Sequence, residues 1–344
     1  MAQCVPEEME NRGEAWMSHM RRGDFDGAWV ISDQVLSERE GLSCHDRPRH
    51  EQWVWRGEPL RGHVLIRCNH GLGDTIQFIR YAAIVRGMVD RVIVEAQPEL
   101  LSLLKTAKGM DQVVPQGHGD EIFYDVAVEV MELPHVFRTD INHIPARVPY
   151  FRIAPEPVSS RARLNVGLVW QAGDWDMRRS IPFKLVRQLA TVPGVTWHVL
   201  QQGSAAKTWD NSFGVNSSRT NLLQLAQFLS GLPLLISIDS MPAHLSGALA
   251  VQTWTLLHAD CDWRWMAHRT DSPWYPTMRL FRQKRPGDWG SVLDHVKNQL
   301  TTLCQDATPV CTVKRQRELQ SIGHETFGGA VASSDQESRA CERD

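Results

Sequence analysis

The stretch His70-Gly71-Leu72-Gly73-Asp74-Thr75-Ile76-Gln77-Phe78 connects two segments with different hydrophobic periodicity. The apolar run Val64-Leu65-Ile66 before it predicts a short buried strand. Apolar residues then recur at helical spacing as far as Val85, which predicts a helix at Thr75–Arg86. The two glycines allow a tight turn and a close ligand approach, because neither carries a Cβ. A strand, a glycine turn and a helix in succession indicate an α/β protein.

Asp74 falls at the start of the predicted helix, where free N–H groups and the helix dipole favour a carboxylate. One interpretation is a helix-capping residue. The other is a carboxylate at the mouth of a nucleotide-binding cleft, because open α/β sheets bind ligands beyond the carboxyl ends of their strands. One residue can serve both purposes. The stretch matches neither a P-loop nor the dinucleotide-binding fingerprint, since the lysine and the further glycine are absent.

Composition excludes several classes of protein. The 344 residues suffice for two domains, and the apolar share of 42% supports well-filled cores. A net charge of −3 argues against nucleic acid as a partner. Seven cysteines without C-x-x-C spacing favour a reduced, cytosolic chain over a disulfide framework or a structural zinc site. The acidic N-terminus predicts no signal peptide, and no apolar run reaches the roughly 18–20 residues that span a bilayer.

The predicted elements divide the chain into four parts. The apolar periodicity in residues 1–45 predicts a helical hairpin. Such a hairpin cannot bury much surface alone, so it should dock on the rest of the chain. Strands alternate with helices in residues 46–150 and again in residues 151–305, where one strand is predicted at Leu234–Ile238. Two prolines in residues 144–149 mark a linker. Each alternation predicts a parallel sheet with right-handed crossovers. Residues 306–344 are polar and are predicted to be disordered.

Two D-x-D patterns are candidates for a metal site, Asp174-Trp175-Asp176 and Asp260-Cys261-Asp262. Such a pair can hold a divalent cation that bridges a diphosphate. The pattern arises easily by chance, so solvated loop carboxylates are the favoured interpretation and no metal site is predicted. The tryptophans beside the second pattern could stack on a sugar, although such residues more often plug a loop onto the core.

Several ordered stretches together resemble family 9 glycosyltransferases, which include the bacterial ADP-heptose:lipopolysaccharide heptosyltransferases. The resemblance is closer to the branch in which such a domain follows tetratricopeptide-type (TPR) helices, and it covers roughly residues 53–303. The matching stretches are Gly71-Leu72-Gly73-Asp74-Thr75-Ile76-Gln77-Phe78-Ile79-Arg80-Tyr81, Val166-Gly167-Leu168-Val169-Trp170, Arg179-Ser180-Ile181-Pro182, Ile236-Ser237-Ile238-Asp239-Ser240 with Ala243-His244-Leu245, Asp262-Trp263-Arg264-Trp265 and Ser272-Pro273-Trp274-Tyr275-Pro276.

The resemblance implies a GT-B fold, in which two Rossmann-like domains face each other across a deep cleft. The N-terminal domain would lie on the acceptor side, the C-terminal domain would bind the nucleotide sugar, and a TPR-like hairpin would precede both. The implied activity is inverting transfer of a sugar, with ADP-heptose as a candidate donor, to a hydroxyl of a glycan, lipid-linked or protein acceptor. Lipopolysaccharide biosynthesis in the cytoplasm is the implied setting, and peripheral contact with the inner membrane stays open.

The resemblance also implies roles for individual residues. Asp74 corresponds to the proposed general base, which takes the proton of the attacking hydroxyl. Arg178 and Arg179 would face the diphosphate, whose oxygens a guanidinium can bind bidentately. The other substrate-binding residues would be Gly71, Gly73 and Gln77 in the first turn, Gln202 and Gly203 near the nucleoside, and Asp239, Ser240 and His244 at a phosphate-binding helix start. Because these cations, including His244, and the helix start already supply positive potential, no metal cofactor is expected.

The sequence also departs from the family pattern. Met241 stands where a glycine is frequent, Pro233 stands where an aspartate is common, and the loop at residues 172–177 is short and weakly basic. These departures leave the donor identity and the strength of catalysis open. One alternative function is a non-catalytic GT-B module that binds a glycan or nucleotide and recruits a partner through its hairpin. Another is a sugar-nucleotide epimerase, which the lack of an acidic cluster in the second domain disfavours.

Overall fold

The two βα alternations form two separate parallel sheets in a computed structural model, which describes residues 7–38, 55–158, 162–173 and 176–306. All these residues belong to one unit that ends at Ala307. The predicted domain boundary near residue 46, the predicted disordered tail after Asp306 and the carboxylate of Asp174 lie outside the described residues.

The first sheet has four strands in the order β3-β2-β1-β4, all parallel. Its central strand β1 ends in a run of buried residues, as expected for a parallel sheet that is covered on both faces. The strands are β1 (Leu60–Arg67), β2 (Val89–Ala96), β3 (Gln112–Pro115) and β4 (Val126–Glu129).

The second sheet has six strands in the order β10-β9-β8-β5-β6-β7, again all parallel. Every residue of its central strand β8 is buried. The strands are β5 (Leu164–Val169), β6 (Val195–Val199), β7 (Val215–Asn216), β8 (Leu234–Ile238), β9 (Thr253–Leu257) and β10 (Met278–Arg282).

Helices cover both sheets, and short 3₁₀ turns extend several of them. The α-helices are α1 (Glu7–Arg22), α2 (Phe25–Glu38), α3 (Leu72–Phe78), α4 (Ala82–Arg86), α5 (Leu101–Leu104), α6 (Leu133–Val136), α7 (Phe183–Val186), α8 (Leu222–Ser230), α9 (Met241–Ala248) and α10 (Trp289–Asp306). Among the described residues, none of these helices is long and apolar enough to cross a membrane.

The helix after the glycine turn is shorter than the sequence predicts. Instead of one helix to Arg86, α3 is followed by a 3₁₀ turn at Ile79–Tyr81 and then by α4. Side chains take the carbonyls that the next helical turn would need. Arg80 donates from Nε to the Gln77 carbonyl at 2.7 Å, and the Tyr150 hydroxyl donates to the Ile76 carbonyl at 2.8 Å. The α-helical hydrogen-bond ladder is therefore interrupted there.

The hairpin α1–α2 docks on the rest of the chain, as expected for an element that cannot bury its own apolar face. The four-stranded sheet and its helices (residues 55–150) are called the first half, and the six-stranded sheet and its helices (from residue 151 to 306) the second half. Against the first half, the Trp29 indole donates to the Thr139 carbonyl at 2.8 Å, and Asp33 pairs with Arg138 at 2.7 Å. Against the second half, Arg21 pairs with Asp260 at 2.9 Å. The hairpin therefore contacts both halves of the protein.

Candidate active site between the two sheets

Each sheet has a point where the strand order changes direction, and both points carry residues singled out from the sequence. In the first sheet β1 lies between β2 and β4, and the turn after β1 holds Gly71, Gly73 and Asp74. In the second sheet β5 lies between β6 and β8, and the segments after β5 and β8 hold Arg179 and Asp239. Ligands of open α/β sheets bind at such points, beyond the carboxyl ends of the strands.

Helix α3 of the first half packs against helix α9 of the second and brings these turns together. Gly73 permits the contact, because a Cβ there would lie only 2.9 Å from Cδ2 of His244. Tyr150 braces the same junction by donating from its hydroxyl to α3 and from its backbone N–H to the Ala248 carbonyl at 3.2 Å. The sequence predicts that a ligand can approach Gly73 closely, whereas in this structure His244 of the other half is the group that does so.

Asp74 is bound from both halves. Its Oδ2 accepts the Gly71 N–H at 2.9 Å, as the capping interpretation predicts. Its Oδ1 accepts a hydrogen bond from Nη1 of Arg264 at 2.8 Å. Burial is the largest single effect and acts to raise the pKa of Asp74, but the surrounding groups, led by the Arg264 guanidinium and including the Gly71 N–H, act in the opposite direction, and the net pKa is lowered. Asp74 is therefore ionised at neutral pH, with one oxygen engaged by the second half.

Arg264 is the main residue of the site to which the sequence assigned no role. Its side chain is 9% exposed, and its guanidinium lies 5.4 Å from the ring centroid of Trp263 and 5.6 Å from that of Phe78. Its Nε lies 3.1 Å from a carboxylate oxygen of Asp262. Burial would lower the pKa of Arg264, but the surrounding aspartates raise it. The signal in the sequence was an arginine between two tryptophans inside a matching stretch.

Arg179 and Asp239 occupy the crevice of the second sheet. Arg179 is buried, and its Nη1 donates to the Asp239 carbonyl at 3.1 Å, which ties the segment after β5 to the start of α9. Burial, together with the nearby carboxylate of Asp262, raises the pKa of Asp239 to about 6. The crevice therefore contains a carboxyl group that gains a proton under mildly acidic conditions.

Arg178 lies elsewhere, although it is the chain neighbour of Arg179. Its side chain is 64% exposed and pairs with Asp176 at 2.9 Å and with Asp260 at 3.2 Å. The structure thus separates the predicted pair of arginines into one buried at the crevice and one in a surface ion-pair network.

His244 is buried at the start of α9. Its Nδ1 lies 3.1 Å from the Tyr275 hydroxyl, and its ring stacks on Trp265 with centroids 5.2 Å apart. Burial, with the charge of Arg264 nearby, lowers the pKa of His244 to about 3. The ring is therefore neutral at physiological pH and does not carry the positive charge that the sequence predicts for it. A neutral imidazole retains one N–H donor.

The remaining predicted residues occupy different surroundings. Ser240 is the N-cap residue of α9, and its hydroxyl donates to the Ile238 carbonyl at 3.2 Å. Gln77 is fully buried in α3, and its side-chain amide has no hydrogen-bond partner in the part of the chain that the structure describes. Gln202 and Gly203 are exposed just beyond the end of β6, where Gln202 donates to the Arg219 carbonyl.

The D-x-D carboxylates that the structure describes pair with arginines. Asp176 and Asp260 share Arg178, and Asp262 binds Arg264. Within residues 7–38, 55–158, 162–173 and 176–306, no group of three or more His, Cys, Asp or Glu side chains is placed to hold a metal ion.

Glu129 is a second carboxyl group near Asp74, and the sequence did not predict it as a site residue. It ends β4, beside the turn after β1, and only 2% of its side chain is exposed. Its oxygens accept the Met131 N–H at 2.6 Å and lie 3.8 Å from Nε2 of His70. Burial, with Glu132 and Asp74 nearby, raises the pKa of Glu129 to about 8. A glutamate at a strand end gives no local signal of burial, because burial depends on the elements that cover it.

The tryptophans of the second domain pack at the junction of the two halves. Trp265 and Trp274 are fully buried, and Trp263 is nearly so. The ring of Phe78 in α3 stacks on Trp263 at 6.2 Å and meets Trp274 edge-on at 5.6 Å. These rings plug a loop onto the core, as the more frequent use of such residues predicts.

Comparison with known proteins identifies the fold. No family model and no curated protein matches the chain. The crystal structure of a glycosyl transferase family 9 protein from Veillonella parvula superposes with a TM-score of 0.51 at 11% identity, over 73% of this chain and 100% of that one. ADP-heptose lps heptosyltransferase II of E. coli gives 0.48 at 14% identity, over 71% and 98%. The likeness to the first structure confirms the predicted α/β architecture of GT-B type with two Rossmann-like halves.

Proposed function

We propose that this protein is an inverting glycosyltransferase that transfers a sugar from a nucleoside diphosphate to a hydroxyl of a glycan, lipid-linked or protein acceptor. One observation carries the proposal: the crevices of the two sheets meet, so that Asp74 of the first half pairs with Arg264 of the second, while the neighbouring Gly73 lies against the start of α9. A carboxylate on one side and cations on the other match the two ends of the reaction.

The two halves would divide the chemistry between them. Asp74 accepts the proton of the acceptor hydroxyl while that oxygen forms a bond to the anomeric carbon. The bond from that carbon to the diphosphate breaks on the opposite face, which inverts the configuration. The diphosphate leaves with the electron pair, and Arg179 and the N–H groups at the start of α9 stabilise its charge.

The sequence resemblance makes ADP-heptose the first donor to test. A panel of ADP-, UDP- and GDP-sugars should contain one that raises the melting temperature of the protein, because a ligand that binds only the folded state stabilises it. NMR of the product made with a glycan acceptor should then show the anomeric configuration opposite to that of the donor. Retention of configuration would contradict the inverting mechanism, and free sugar without acceptor product would indicate a hydrolase.

A non-catalytic binding module is the second candidate, and the contact between Asp74 and Arg264 favours it. A carboxylate that is paired with a buried arginine has a lowered pKa and is a weak base. A binding module would respond to nucleotide sugars in the thermal assay without forming product from any acceptor. Recruitment of a partner through the hairpin, and contact with a membrane through a lipid-linked acceptor, stay predictions of the respective functions.

We expect transfer to need no divalent metal. The described carboxylates of the D-x-D patterns are engaged by arginines, while Arg179 and the start of α9 can carry the leaving charge. Turnover after exhaustive EDTA treatment should equal turnover with added Mg²⁺ or Mn²⁺. Activity that is lost with chelator and restored by metal would contradict this expectation and make Asp174 and Asp260 the first residues to change.

A further inference from the structure

Arg264 belongs to the second half but makes its 2.8 Å ion pair with Asp74 of the first. It lies in the 3₁₀ turn Trp263–Trp265, and the carboxylate of Asp262 caps that turn by accepting the Arg264 N–H at 3.0 Å. The same arginine therefore reaches from the donor-side crevice to the candidate base. Its guanidinium lies over two aromatic rings, where an ion pair is only weakly screened.

Asp74 and the donor diphosphate would compete for the guanidinium of Arg264. Three carboxyl groups act on its guanidinium, those of Asp262, Asp74 and Asp239. Arg179 and Arg80 are the other buried guanidinium groups whose charge acts on His244, whereas His244 itself is neutral at physiological pH. The donor diphosphate adds two negative charges beside a guanidinium on which three carboxyl groups already act.

We propose that Arg264 exchanges partners during the reaction: it holds Asp74 in the empty site and moves to the diphosphate when the nucleotide sugar binds. The inference rests on the proposed function and adds a ligand for the donor that the sequence did not assign. It also gives the Asp74–Arg264 contact a role in a working enzyme, where the binding-module hypothesis treats the contact as a sign of lost activity.

The exchange would activate the base. While it is paired, Asp74 binds protons weakly because the guanidinium stabilises its charged form. Once the diphosphate takes Arg264, the carboxylate loses its counter-ion and gains an anionic neighbour, so that its proton affinity rises. It then accepts the proton of the acceptor hydroxyl more readily. Base strength is thereby coupled to the presence of the donor.

Proton uptake on donor binding tests the exchange without turnover. Calorimetric titration at about pH 5, in two buffers of different ionisation enthalpy, counts the protons taken up when ADP-heptose, UDP-glucose or GDP-mannose binds without acceptor. We expect the wild type to take up a large fraction of a proton and Asp74→Asn to lack that fraction. The other titratable groups near Asp74 are His244, Asp239, Asp262 and Glu129. The pKa values of about 3 for His244 and about 8 for Glu129 lie well away from pH 5, so neither group should change its protonation state there with or without the Asp74 charge. Asp239 and Asp262 are present in both proteins.

Variants of the arginine separate charge from structure. Arg264→Gln should weaken nucleotide-sugar binding by about 10- to 100-fold, the usual effect of losing a charged hydrogen bond, and should abolish the Asp74-dependent uptake. Arg264→Lys keeps the charge and should retain part of both effects. Arg269→Gln is the matched control, because Arg269 lies five positions further along the chain and pairs with the exposed Asp271. If Arg264→Gln does not fold, the comparison of wild type with Asp74→Asn still decides.

The outcomes distinguish this inference from the proposed function. Binding without Asp74-dependent proton uptake would overturn the exchange. The proposed transferase would then have an Asp74 whose pairing with Arg264 does not change when the donor binds. Proton uptake without product from any acceptor would support the exchange and refute catalysis. Failure of all three nucleotide sugars to bind would overturn the diphosphate role of Arg264.

Discussion

Two carboxyl groups at the carboxyl edge of the first sheet are held in opposite protonation states. The pKa of Asp74 is lowered because the surrounding groups, led by Arg264, together outweigh the effect of its burial. The pKa of Glu129 is raised to about 8, mainly by burial, and the neighbouring Asp74 anion contributes. Environments that separate the pKa values of neighbouring acids are typical of sites that perform acid–base chemistry. Under the proposed function, Asp74 is the one of the two that is ionised and can accept a proton.

Replacing Asp74 by Asn tests that assignment. The amide retains an oxygen that can accept the Gly71 N–H, but it cannot take up a proton. We expect kcat to fall by about 10²- to 10⁴-fold, the usual weight of general acid–base catalysis. Donor affinity should be unchanged or higher, because Arg264 loses a competing partner. Steady-state kinetics and calorimetric binding measure the two effects separately.

The matched control for Asp74 is Asp271→Asn, which removes an exposed carboxylate outside the crevice. It should leave kcat and donor affinity unchanged. Turnover of Asp74→Asn close to that of the wild type would reduce Asp74 to a cap and an ion-pair partner.

Glu129 should make stability depend on pH. Its folded-state pKa of about 8 lies above the ordinary value of 4.5, so between these values the folded protein holds a proton that the unfolded chain has lost. The free energy of unfolding should therefore fall as pH rises through this window. Glu129→Gln cannot titrate, so its curve should fall less steeply and its relative stability should be best above pH 8. Urea unfolding across this range measures both curves, and parallel curves would show that Glu129 is ionised in the fold.

The sequence predicted residues whose position depends on local pattern and missed those whose role depends on distant contacts. The place of Asp74 at a helix start follows from the adjacent strand and glycines. Its partner Arg264 lies 190 positions away, and no periodicity links the two. Arg178 and Arg179 are indistinguishable as neighbours in sequence, yet only Arg179 is buried. Burial at this site is created by the second half, which a local pattern does not contain.

Strands were predicted more closely than helices, and the cause lies in their surroundings. The strand predicted at Leu234–Ile238 has those bounds in the structure, since a continuous apolar run suits a strand buried on both faces. The helix predicted to continue to Arg86 breaks after α3, because Arg80 and Tyr150 bind the carbonyls of its last turn. Arg80 also donates to the Trp274 carbonyl at 2.6 Å, and the Tyr150 N–H donates to the Ala248 carbonyl at 3.2 Å. Both residues are therefore tied to the second half, so the break is a consequence of how the halves pack.

Gly73→Ala tests the junction between α3 and α9. The added Cβ would lie 2.9 Å from the ring of His244, which is buried and cannot yield easily. We expect a loss of about 1–3 kcal/mol in the free energy of unfolding, as for other overpacked sites. Gly173→Ala is the control, because a Cβ there meets nothing within 4 Å. Equal stability of the two variants in denaturant unfolding would show that the halves can separate at this point without cost.

The whole molecule is held together by its N-terminal hairpin as well as by the α3–α9 contact. Trp29 and Asp33 attach the hairpin to the first half. Trp16 meets Trp263 edge-on at 5.6 Å, and the Arg21 carbonyl accepts the Ala267 N–H at 2.8 Å in the second half. That second attachment surrounds the turn that carries Arg264. The hairpin therefore helps to position Arg264, the counter-ion of Asp74.

Trp29→Ala should show whether the hairpin transmits between the halves. Loss of a buried indole should lower the free energy of unfolding by about 3–5 kcal/mol. If the hairpin acts as a bridge, hydrogen exchange should also accelerate at the Ala267 amide, on the half that Trp29 does not anchor. Val30→Ala is the control on the same helix, since Val30 is 56% exposed. Faster exchange confined to the neighbourhood of Thr139 would mean that the hairpin stabilises the first half alone and leaves the turn of Arg264 to the second.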